Sequence, residues 1–352
     1  MSALRQIKQA VLNTNGLGLA PIIARSNWRQ QRLMILCYHG IAAEDEDGAY
    51  PEMFMRPELF ARRMDIVARS GCKVVGLGEG LRLLQKGQLP ARSVAITFDD
   101  GWADFPLHAL PVLQKCGFPA TVYLTTYYCL YSRPLFRFAL AHMMWKVSTK
   151  VIENRTFDWL PRQLDFQTES SRSALLWQID GYAKQQNLTG QQKDVLAAAF
   201  ANAIGFDYSA FCKRRLFQLM NPEEVGAMAR AGIDIQLHTH RHRTPLDRDK
   251  FIGEIKQNRD LITQMTGAGS VTHFCYPSGA IRPDFIPWLK EAGVESATTC
   301  LNGLATRNGD PFLLPRLLDQ YRLTDAEFES WLTGLAEFLP RRKSEPLDVA
   351  PE

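Results

Sequence analysis

Short apolar runs rich in β-branched residues recur along the chain, and the segments between them have the spacing of amphipathic helices. The runs occupy positions 33–38, 73–76, 93–98, 120–124, 233–237, 271–276 and 294–299. Alternation of this kind predicts βα units that build a parallel sheet or barrel. Seven runs favour an α/β barrel over a small open sheet.

This rhythm breaks between 131 and 220, where helical patterns dominate. We predict a largely helical insertion at 131–220, within a barrel formed by residues 33–130 and 221–335. Two further parts complete the chain, a basic N-terminal segment at 1–32 and a charged, proline-containing tail at 336–352. We expect the tail to be loosely ordered, because it has few apolar residues to bury.

Composition narrows the class of protein. The chain has 352 residues and is 46% hydrophobic, which suffices for a large core and excludes a disordered or fibrous protein. Its net charge is only +4 and its basic residues are spread out, so we expect no nucleic-acid partner. Seven cysteines without a CxxC pair, several of them inside apolar runs, predict free thiols in a reducing compartment.

The N-terminal segment has a charge pattern of its own. Residues 1–32 contain five Lys or Arg and no Asp or Glu, with apolar residues at positions 4, 7, 11 and 12. A basic amphipathic helix can rest on an anionic bilayer, and the same spacing suits a helix packed against the domain. The apolar stretch at 16–24 is too short to span a membrane and weak as a secretory signal. We expect a cytoplasmic protein, with peripheral contact to the inner face of the membrane left open.

Polar groups follow four of the predicted strands. They are His39, the pair Asp99 and Asp100, the cluster His238, His240 and His242, and the dipeptide Tyr276-Pro277. In α/β barrels the loops at the carboxyl ends of the strands share one mouth, and the chemistry collects there. We therefore expect these groups to meet at that mouth.

The aspartates and histidines have the composition of a metal site. Two histidines and one carboxylate leave coordination positions open for water and a substrate oxygen, and a second carboxylate can take a proton from that water. Asp99 and Asp100 offer both roles, but spacing does not decide between them, because successive strand residues point to opposite faces. His238 and His242, four apart, are a more natural ligand pair than either with His240. An ordinary Asp-Gly turn is the alternative interpretation of the aspartates.

These segments resemble the polysaccharide deacetylases with a NodB homology domain, also called carbohydrate esterase family 4. The TFDDG at 97–101 is similar to the family's first motif, in which the first Asp is the base and the second a metal ligand. That likeness assigns Asp99 as base and Asp100 as ligand. The HTHRH that begins at His238 is similar to the family's H-T/S-x-x-H, whose outer histidines bind metal. The resemblance therefore implies a divalent ion, with Zn²⁺ expected, held by Asp100, His238 and His242.

Further segments extend the resemblance over about 32–130 and 221–335. The FCYPSG at 274–279 is similar to the third motif, in which the tyrosine amide helps to hold the oxyanion, and this implies that role for Tyr276. An early YHGI and a late LPR are similar to conserved segments of one branch of the family. Members fold as a distorted (β/α)7 barrel, in agreement with the seven runs.

Two departures from the family pattern affect the assignment of roles. Many members supply a general acid from a late histidine, but no histidine follows His273 here. The candidates for protonating the leaving amine are His39, His240, His273, Asp99 or a metal-bound water, and we favour His39 because it follows a strand. The third motif also lacks the arginine that orients the base. Arg316 can take that part from another strand, and an ordinary salt bridge is its alternative role.

We therefore predict a metal-dependent hydrolase that removes acetyl groups from N-acetylated sugars in a polysaccharide, glycolipid or lipid-linked precursor. A sugar O-acetyl esterase on the same metal site and a non-catalytic glycan-binding barrel are the alternatives. Trp102, beside the aspartates, is the candidate for stacking on a sugar, and Tyr276 and Pro277 are candidate substrate contacts. We expect the insertion to cover one side of the mouth.

Overall fold

A computed structural model describes residues 18–339 of the chain. Its strands are β1 (Met34–Tyr38), β2 (Gly40–Ile41), β3 (Phe54–Met55), β4 (Lys73–Val74), β5 (Ser93–Asp100), β6 (Thr121–Leu124), β7 (Val151–Glu153), β8 (Gln163–Asp165), β9 (Asp234–Leu237), β10 (His273–Cys275), β11 (Ser296–Thr298) and β12 (Leu317–Leu318). Its α-helices are α1 (Leu19–Arg25), α2 (Asn27–Gln30), α3 (Glu46–Ala49), α4 (Pro57–Arg69), α5 (Leu77–Lys86), α6 (Leu110–Cys116), α7 (Thr126–Cys129), α8 (Phe136–Lys146), α9 (Glu169–Gln185), α10 (Gly190–Ala203), α11 (Tyr208–Lys213), α12 (Pro222–Arg230), α13 (Arg248–Thr266), α14 (Phe285–Glu291) and α15 (Asp325–Thr333). A π-helical turn, Phe105–Ala109, leads into α6, and 3-10 turns lie at Pro277–Gly279 and Leu335–Phe338.

Seven strands curl into a barrel. They lie side by side in the order β11, β10, β9, β6, β5, β1 and β12, and every neighbouring pair is parallel. A bridge between Thr298 and Leu314 joins β11 to the segment that leads into β12. There the N–H of Thr299 donates to the carbonyl of Leu314 at 2.9 Å. The ring therefore closes, and all seven carboxyl ends face the same mouth.

The predicted distorted (β/α)7 barrel is confirmed, although its seven strands are not the seven that the apolar pattern indicated. The run at 73–76 gives only β4, which pairs with the start of β5 outside the ring. The ring is completed instead by β12, whose register pairs Leu317 with Leu36. A two-residue strand carries no alternation that could be recognised in the sequence.

The insertion at 131–220 is mainly helical, with one short hairpin. It contains α8 to α11, and β7 and β8 pair antiparallel within it. Its last residues return to the barrel beside the two aspartates. There the N–H of Ala103 donates to the carbonyl of Gln218, and the N–H of Met220 donates to the carbonyl of Gly101, both at 2.9 Å. The insertion is therefore fixed to the same loop that carries the candidate catalytic residues.

A buried histidine lies in the core of the insertion. His142 of α8 is fully buried, and neither of its ring nitrogens has a hydrogen-bond partner among the described residues. Its ring stacks on Phe211, with centroids 5.3 Å apart. Burial lowers the pKa of His142 to about 4; Asp45 opposes this shift, and Lys146 and Arg214 add to it. The imidazole is therefore neutral in the folded protein at neutral pH.

We expect the free energy of unfolding to fall as the pH drops from 6.5 towards 4. The unfolded chain takes up a proton on His142 near its ordinary pKa, whereas the folded chain does so only near pH 4. The loss from this one group approaches about 3 kcal/mol at the lower pH. Urea unfolding of wild type and His142→Leu at pH 7 and pH 4.5 measures it. An equal loss in both proteins would contradict the assignment.

Among the described residues, no helix combines the length and the apolar character needed to cross a bilayer. The predicted helical spacing at positions 4–12 and most of the predicted tail lie outside the described residues. All seven cysteines are free; Cys37, Cys129 and Cys275 are buried, and the other four are half-buried.

Candidate active site

The alternation of residues along β5 places the two aspartates. Ala95 belongs to a hydrophobic cluster that also contains Cys275 of β10 and lies inside the barrel. Asp99 is on the same face of β5 as Ala95, so its carboxylate points into the barrel. Asp100 is the next residue, but its φ of +71° turns the chain away from the regular strand. Both carboxylates therefore reach the mouth, from different sides of the same strand end.

Asp100, His238 and His242 form a compact group of possible metal ligands. Oδ1 of Asp100 lies 3.3 Å from Nε2 of His238 and 3.4 Å from Nε2 of His242. Ligands bound to Zn²⁺ at about 2.0–2.1 Å in a tetrahedron are separated by about 3.3 Å, so this spacing fits such an ion. The three residues that the sequence predicted as ligands are brought together.

Neighbouring groups fix the orientation of two of these ligands. Nδ1 of His238 is 2.9 Å from the carbonyl oxygen of Cys275, which makes it the protonated nitrogen and leaves Nε2 free for a metal. The main-chain N–H of His238 donates to Oδ1 of Asn258 on α13 at 2.9 Å. The indole Nε1 of Trp102 donates to Oδ2 of Asp100 at 3.0 Å, so Oδ1 is the oxygen that faces the histidines.

The histidine loop is a tight turn rather than a helix. Thr239 and His242 have φ values of +62° and +56°, and Thr239 is β-branched, a residue type that this conformation strongly disfavours. Oγ1 of Thr239 accepts a hydrogen bond from the N–H of Arg243 at 3.0 Å, which closes the turn. The strained backbone allows His238 and His242 to face one point, with their rings 4.9 Å apart.

The predicted role of Trp102 in sugar stacking is wrong. Its side chain is only 1% exposed. Its ring packs edge-on against Phe54 and Phe138, with centroids 4.9 and 5.2 Å away. No face is left for a sugar. Trp102 instead orients Asp100, a role that sequence adjacency did not indicate because neighbouring residues can point to opposite sides of a loop.

We expect Trp102→Phe to weaken metal binding by about 10–100-fold, as is typical when a group that orients a ligand is lost. The aromatic packing remains, so the fold should be retained. The KM for sugar should stay close to that of wild type, because the ring is not at the surface. Metal affinity by chelator competition and steady-state kinetics test this. A raised KM with unchanged metal affinity in Trp102→Phe would instead support stacking of Trp102 on the sugar.

Asp99 is held by Arg316 in a bidentate pair. Nη1 and Nη2 of Arg316 lie 2.7 Å from Oδ1 and Oδ2 of Asp99, and both side chains are buried. The guanidinium also donates from Nε to the carbonyl of Thr299 at 2.9 Å. Of the two roles predicted for Arg316, its position favours the one that orients the base, because its guanidinium lies directly on Asp99.

The electrostatics of this pair favour an ionised base. Burial alone would raise the pKa of Asp99, but the Arg316 guanidinium outweighs it and holds that pKa below its ordinary value. Burial likewise acts to raise the pKa of Asp100, and its hydrogen bond with His238 together with the charge of His242 lowers the pKa to about 2. Both carboxylates are therefore charged throughout the physiological range.

Two buried thiols touch the same carboxylate, and the sequence analysis missed them. Sγ of Cys275 and Sγ of Cys37 lie 3.4 and 3.6 Å from Oδ2 of Asp99. Nη2 of Arg316 donates to Sγ of Cys275 at 3.2 Å. Strand alternation was the available signal, since both cysteines take inward positions at the ends of β1 and β10. Asn258, by contrast, lies in the middle of a long helix and gave no local signal.

A comparison with protein-family models identifies this arrangement. The family model described as polysaccharide deacetylase matches residues 86–200 and 180–297, which together span well over half of the chain. The chain belongs to the polysaccharide deacetylase family. The matched region contains both aspartates, both outer histidines and the third motif. A comparison of the deacetylase with curated protein sequences gave no significant match.

Solved structures share the fold of the deacetylase. A Streptococcus pyogenes deacetylase, PplD, in complex with acetate has a TM-score of 0.56 and 16% identity, and the match covers 89% of this chain and 100% of that one. IcaB from Ammonifex degensii has a TM-score of 0.52 and 18% identity, covering 86% and 97%. A de-N-acetylase from Aggregatibacter actinomycetemcomitans has a TM-score of 0.52 and 14% identity, covering 85% and 99%. These similarities show the common barrel.

Of the three histidines considered as general acid of the deacetylase, only His39 lies at the base. Its Nε2 is 3.8 Å from Oδ2 of Asp99, and its side chain is 17% exposed. His240 points away from the ligands, with Nδ1 2.9 Å from Oγ1 of Thr126. His273 begins β10, at the opposite end of the barrel from the mouth. His240 and His273 are therefore excluded as proton donors to the leaving group.

The predicted roles of Tyr276 and Pro277 need correction. The main-chain N–H of Tyr276 donates to the carbonyl of Thr298 at 3.3 Å, because the pairing of β10 with β11 continues one residue past Cys275. That amide is therefore engaged in the sheet and is not a free oxyanion donor. The hydroxyl of Tyr276 donates to the carbonyl of Phe312 at 3.1 Å. Tyr276 and Pro277 are both buried, so neither offers a surface to the substrate.

Proposed function

We propose that this deacetylase is a metal-dependent hydrolase that removes N-acetyl groups from sugars, with Zn²⁺ held by Asp100, His238 and His242. The observation that carries the proposal is that Oδ1 of Asp100 lies 3.3 and 3.4 Å from Nε2 of His238 and His242, beside a buried, ionised Asp99. A divalent ion in that position supplies Lewis-acid polarisation of the acetyl carbonyl and of water.

Asp99 acts as general base in this proposal. Oδ1 of Asp99 accepts one hydrogen bond, from Arg316, and retains a second lone pair for the proton of the attacking water, whereas Oδ2 also faces the thiols of Cys37 and Cys275. The bidentate pair holds the carboxylate in one rotamer, so the base is positioned before substrate arrives. Arg316 also keeps it ionised, which a base must be at the start of the reaction.

The leaving amine needs a proton, and His39 is the residue that we propose to deliver it. Its Nε2 lies close to Asp99 and its side chain reaches the mouth, so it can meet the nitrogen on the side of the base. Proton transfer by a positioned histidine is a common solution for amine leaving groups. Collapse of the tetrahedral intermediate then releases acetate and a free amino sugar.

We further propose that the sugar is presented on a carrier at the inner face of the membrane. In α1, Leu19 and Ile22 are 50% and 66% exposed, and Arg25 lies in the last turn. Exposed apolar residues beside basic ones suit the surface of an anionic bilayer. Flotation with phosphatidylglycerol and phosphatidylcholine vesicles tests this. Negligible binding to both kinds of vesicle would refute membrane contact. So would an Ile22→Asp variant that binds the vesicles as well as wild type does.

The central test is acetate release from a panel of substrates. N-acetylhexosamine oligomers, lipid-linked and nucleotide-linked N-acetylhexosamines and an O-acetylated sugar are compared, with chelator treatment and metal add-back. We expect release from N-acetyl substrates that stops with chelator and returns with Zn²⁺. Preferential release from the O-acetylated sugar would make the chain an esterase. If no substrate released acetate, the result would favour a non-catalytic barrel that binds glycans.

A further inference from the structure

An aromatic and basic rim lies beside the histidine loop and takes no part in the chemistry described above. It consists of Tyr127 and Tyr131, which follow β6, and Arg241 and Arg243, which follow β9. The N–H of Tyr127 donates to the carbonyl of His240 at 2.7 Å, so the rim is fixed directly to the loop that carries the metal ligands. We call these four residues the Tyr–Arg rim.

The tyrosines form a platform open to solvent. Tyr131 is 55% exposed, and its ring lies 4.9 Å from that of Tyr127. On the other side, the insertion closes against Tyr127, since a side chain added at Gly190 would come within 3.3 Å of the tyrosine hydroxyl. The platform therefore lies between the histidine loop and the start of α10.

The two arginines differ in how their charge is satisfied. Nη1 of Arg241 pairs with Glu254 at 2.8 Å, and its guanidinium carbon lies 5.7 Å from the centre of the Tyr127 ring. Arg243 is exposed, and no carboxylate lies within ion-pairing distance of it in the described part of the chain. Burial and Tyr131 raise the pKa of Tyr127, whereas Arg241 and Arg243 act to lower it, as expected if both charges face the ring. Arg243 thus leaves one unneutralised positive charge at the platform.

Arg243 is also held close to the reacting centre. It directly follows the ligand His242, and its own N–H is bonded to Oγ1 of Thr239 at 3.0 Å. A guanidinium on a fixed backbone loses less freedom when it binds an anion, and its fork matches phosphate oxygens. Because Arg243 directly follows His242, an anion bound by Arg243 would lie near a sugar whose acetamide is at the metal ligands.

We propose that the Tyr–Arg rim binds a phosphate or diphosphate carried by the N-acetylated sugar, with Arg243 supplying the charge and Tyr131 the apolar face. The proposal rests on the deacetylase function proposed above and names the substrate class for it. The phosphate can belong to a lipid carrier, a nucleotide or a free sugar phosphate, since all three present the same anion.

Calorimetry with reaction products tests binding without turnover. Zn²⁺-loaded wild type and Arg243→Gln are titrated with glucosamine 1-phosphate and with glucosamine. Arg82→Gln, an exposed arginine on α5 away from the mouth, is the matched control. We expect wild type to bind glucosamine 1-phosphate more tightly than glucosamine. Arg243→Gln should lower the affinity for glucosamine 1-phosphate about tenfold and leave the affinity for glucosamine unchanged. Arg82→Gln should behave as wild type.

Two results would overturn the proposal. One is equal affinity of wild type for the phosphorylated and the neutral amino sugar. The other is a phosphate gain that persists in Arg243→Gln, which would place the phosphate on the metal instead. In parallel, kcat/KM for nucleotide-linked and polyprenyl-linked N-acetylglucosamine identifies the carrier. Absence of all acetate release refutes the deacetylase function, whereas the calorimetric comparison still decides the anion site.

Discussion

Replacing Asp99 with Asn is expected to lower the rate of acetate release by about 10²–10⁴, the usual contribution of a positioned general base. Asparagine keeps the shape of the side chain but cannot accept a proton from water. Because Asp100, His238 and His242 are untouched, the variant should still take up one metal ion. Steady-state kinetics and metal analysis of the purified protein provide the two readouts.

The control for this variant concerns Arg316. Asp99→Asn leaves the buried guanidinium without its counter-charge, and breaking a buried pair costs about 3–5 kcal/mol of stability. Activity must therefore be compared at a temperature where thermal unfolding shows the variant to be folded. The double variant Asp99→Asn with Arg316→Met removes both charges and should recover part of that stability without recovering activity. If the folded, metal-loaded Asp99→Asn protein released acetate at the wild-type rate, Asp99 would not be the general base.

The second large effect is expected for His238→Ala. Loss of a group that merely orients a ligand weakens metal affinity by about 10–100-fold, so loss of the ligand itself should exceed that range. Activity should disappear at ordinary metal concentrations. His240→Gln is the matched control, because His240 lies in the same loop and is equally buried but faces Thr126.

Metal affinity, measured by chelator competition, distinguishes the roles of His238 and His240. We expect His240→Gln to bind metal like wild type and to lose stability only through its contact with Thr126. If His240→Gln lost the metal and His238→Ala kept it, the ligand assignment would be wrong. His242→Ala should resemble His238→Ala, although its ring is more exposed and its loss should disturb packing less.

The positions of the site residues could be predicted because strand ends are local features. A run of β-branched residues followed by Asp99 or His238 indicates both the strand and the direction in which it points. Arg316 could be located only through its resemblance to a late family segment. Its contact with Asp99 joins residues more than 200 positions apart, and no periodicity in either segment encodes that distance.

The orientation of side chains beyond the strand ends could not be predicted. Trp102 follows the aspartates, but the return of the insertion at Leu219 pairs with it and turns the indole into the core. The amide of Tyr276 is engaged because β11 happens to continue its pairing by one residue. In both cases a distant segment decides the outcome, and that segment leaves no trace in the local pattern.

The closure of the barrel by β12 has a consequence for the newly made chain. During synthesis Asp99, Asp100, His238 and His242 all emerge before Arg316, which enters only with the last strand of the ring. In the finished barrel burial acts to raise the pKa of Asp99, and Arg316 supplies the charge that outweighs it. The ionised state of the candidate base therefore depends on closure of the ring, because the partner of Asp99 lies at the entry to the last strand.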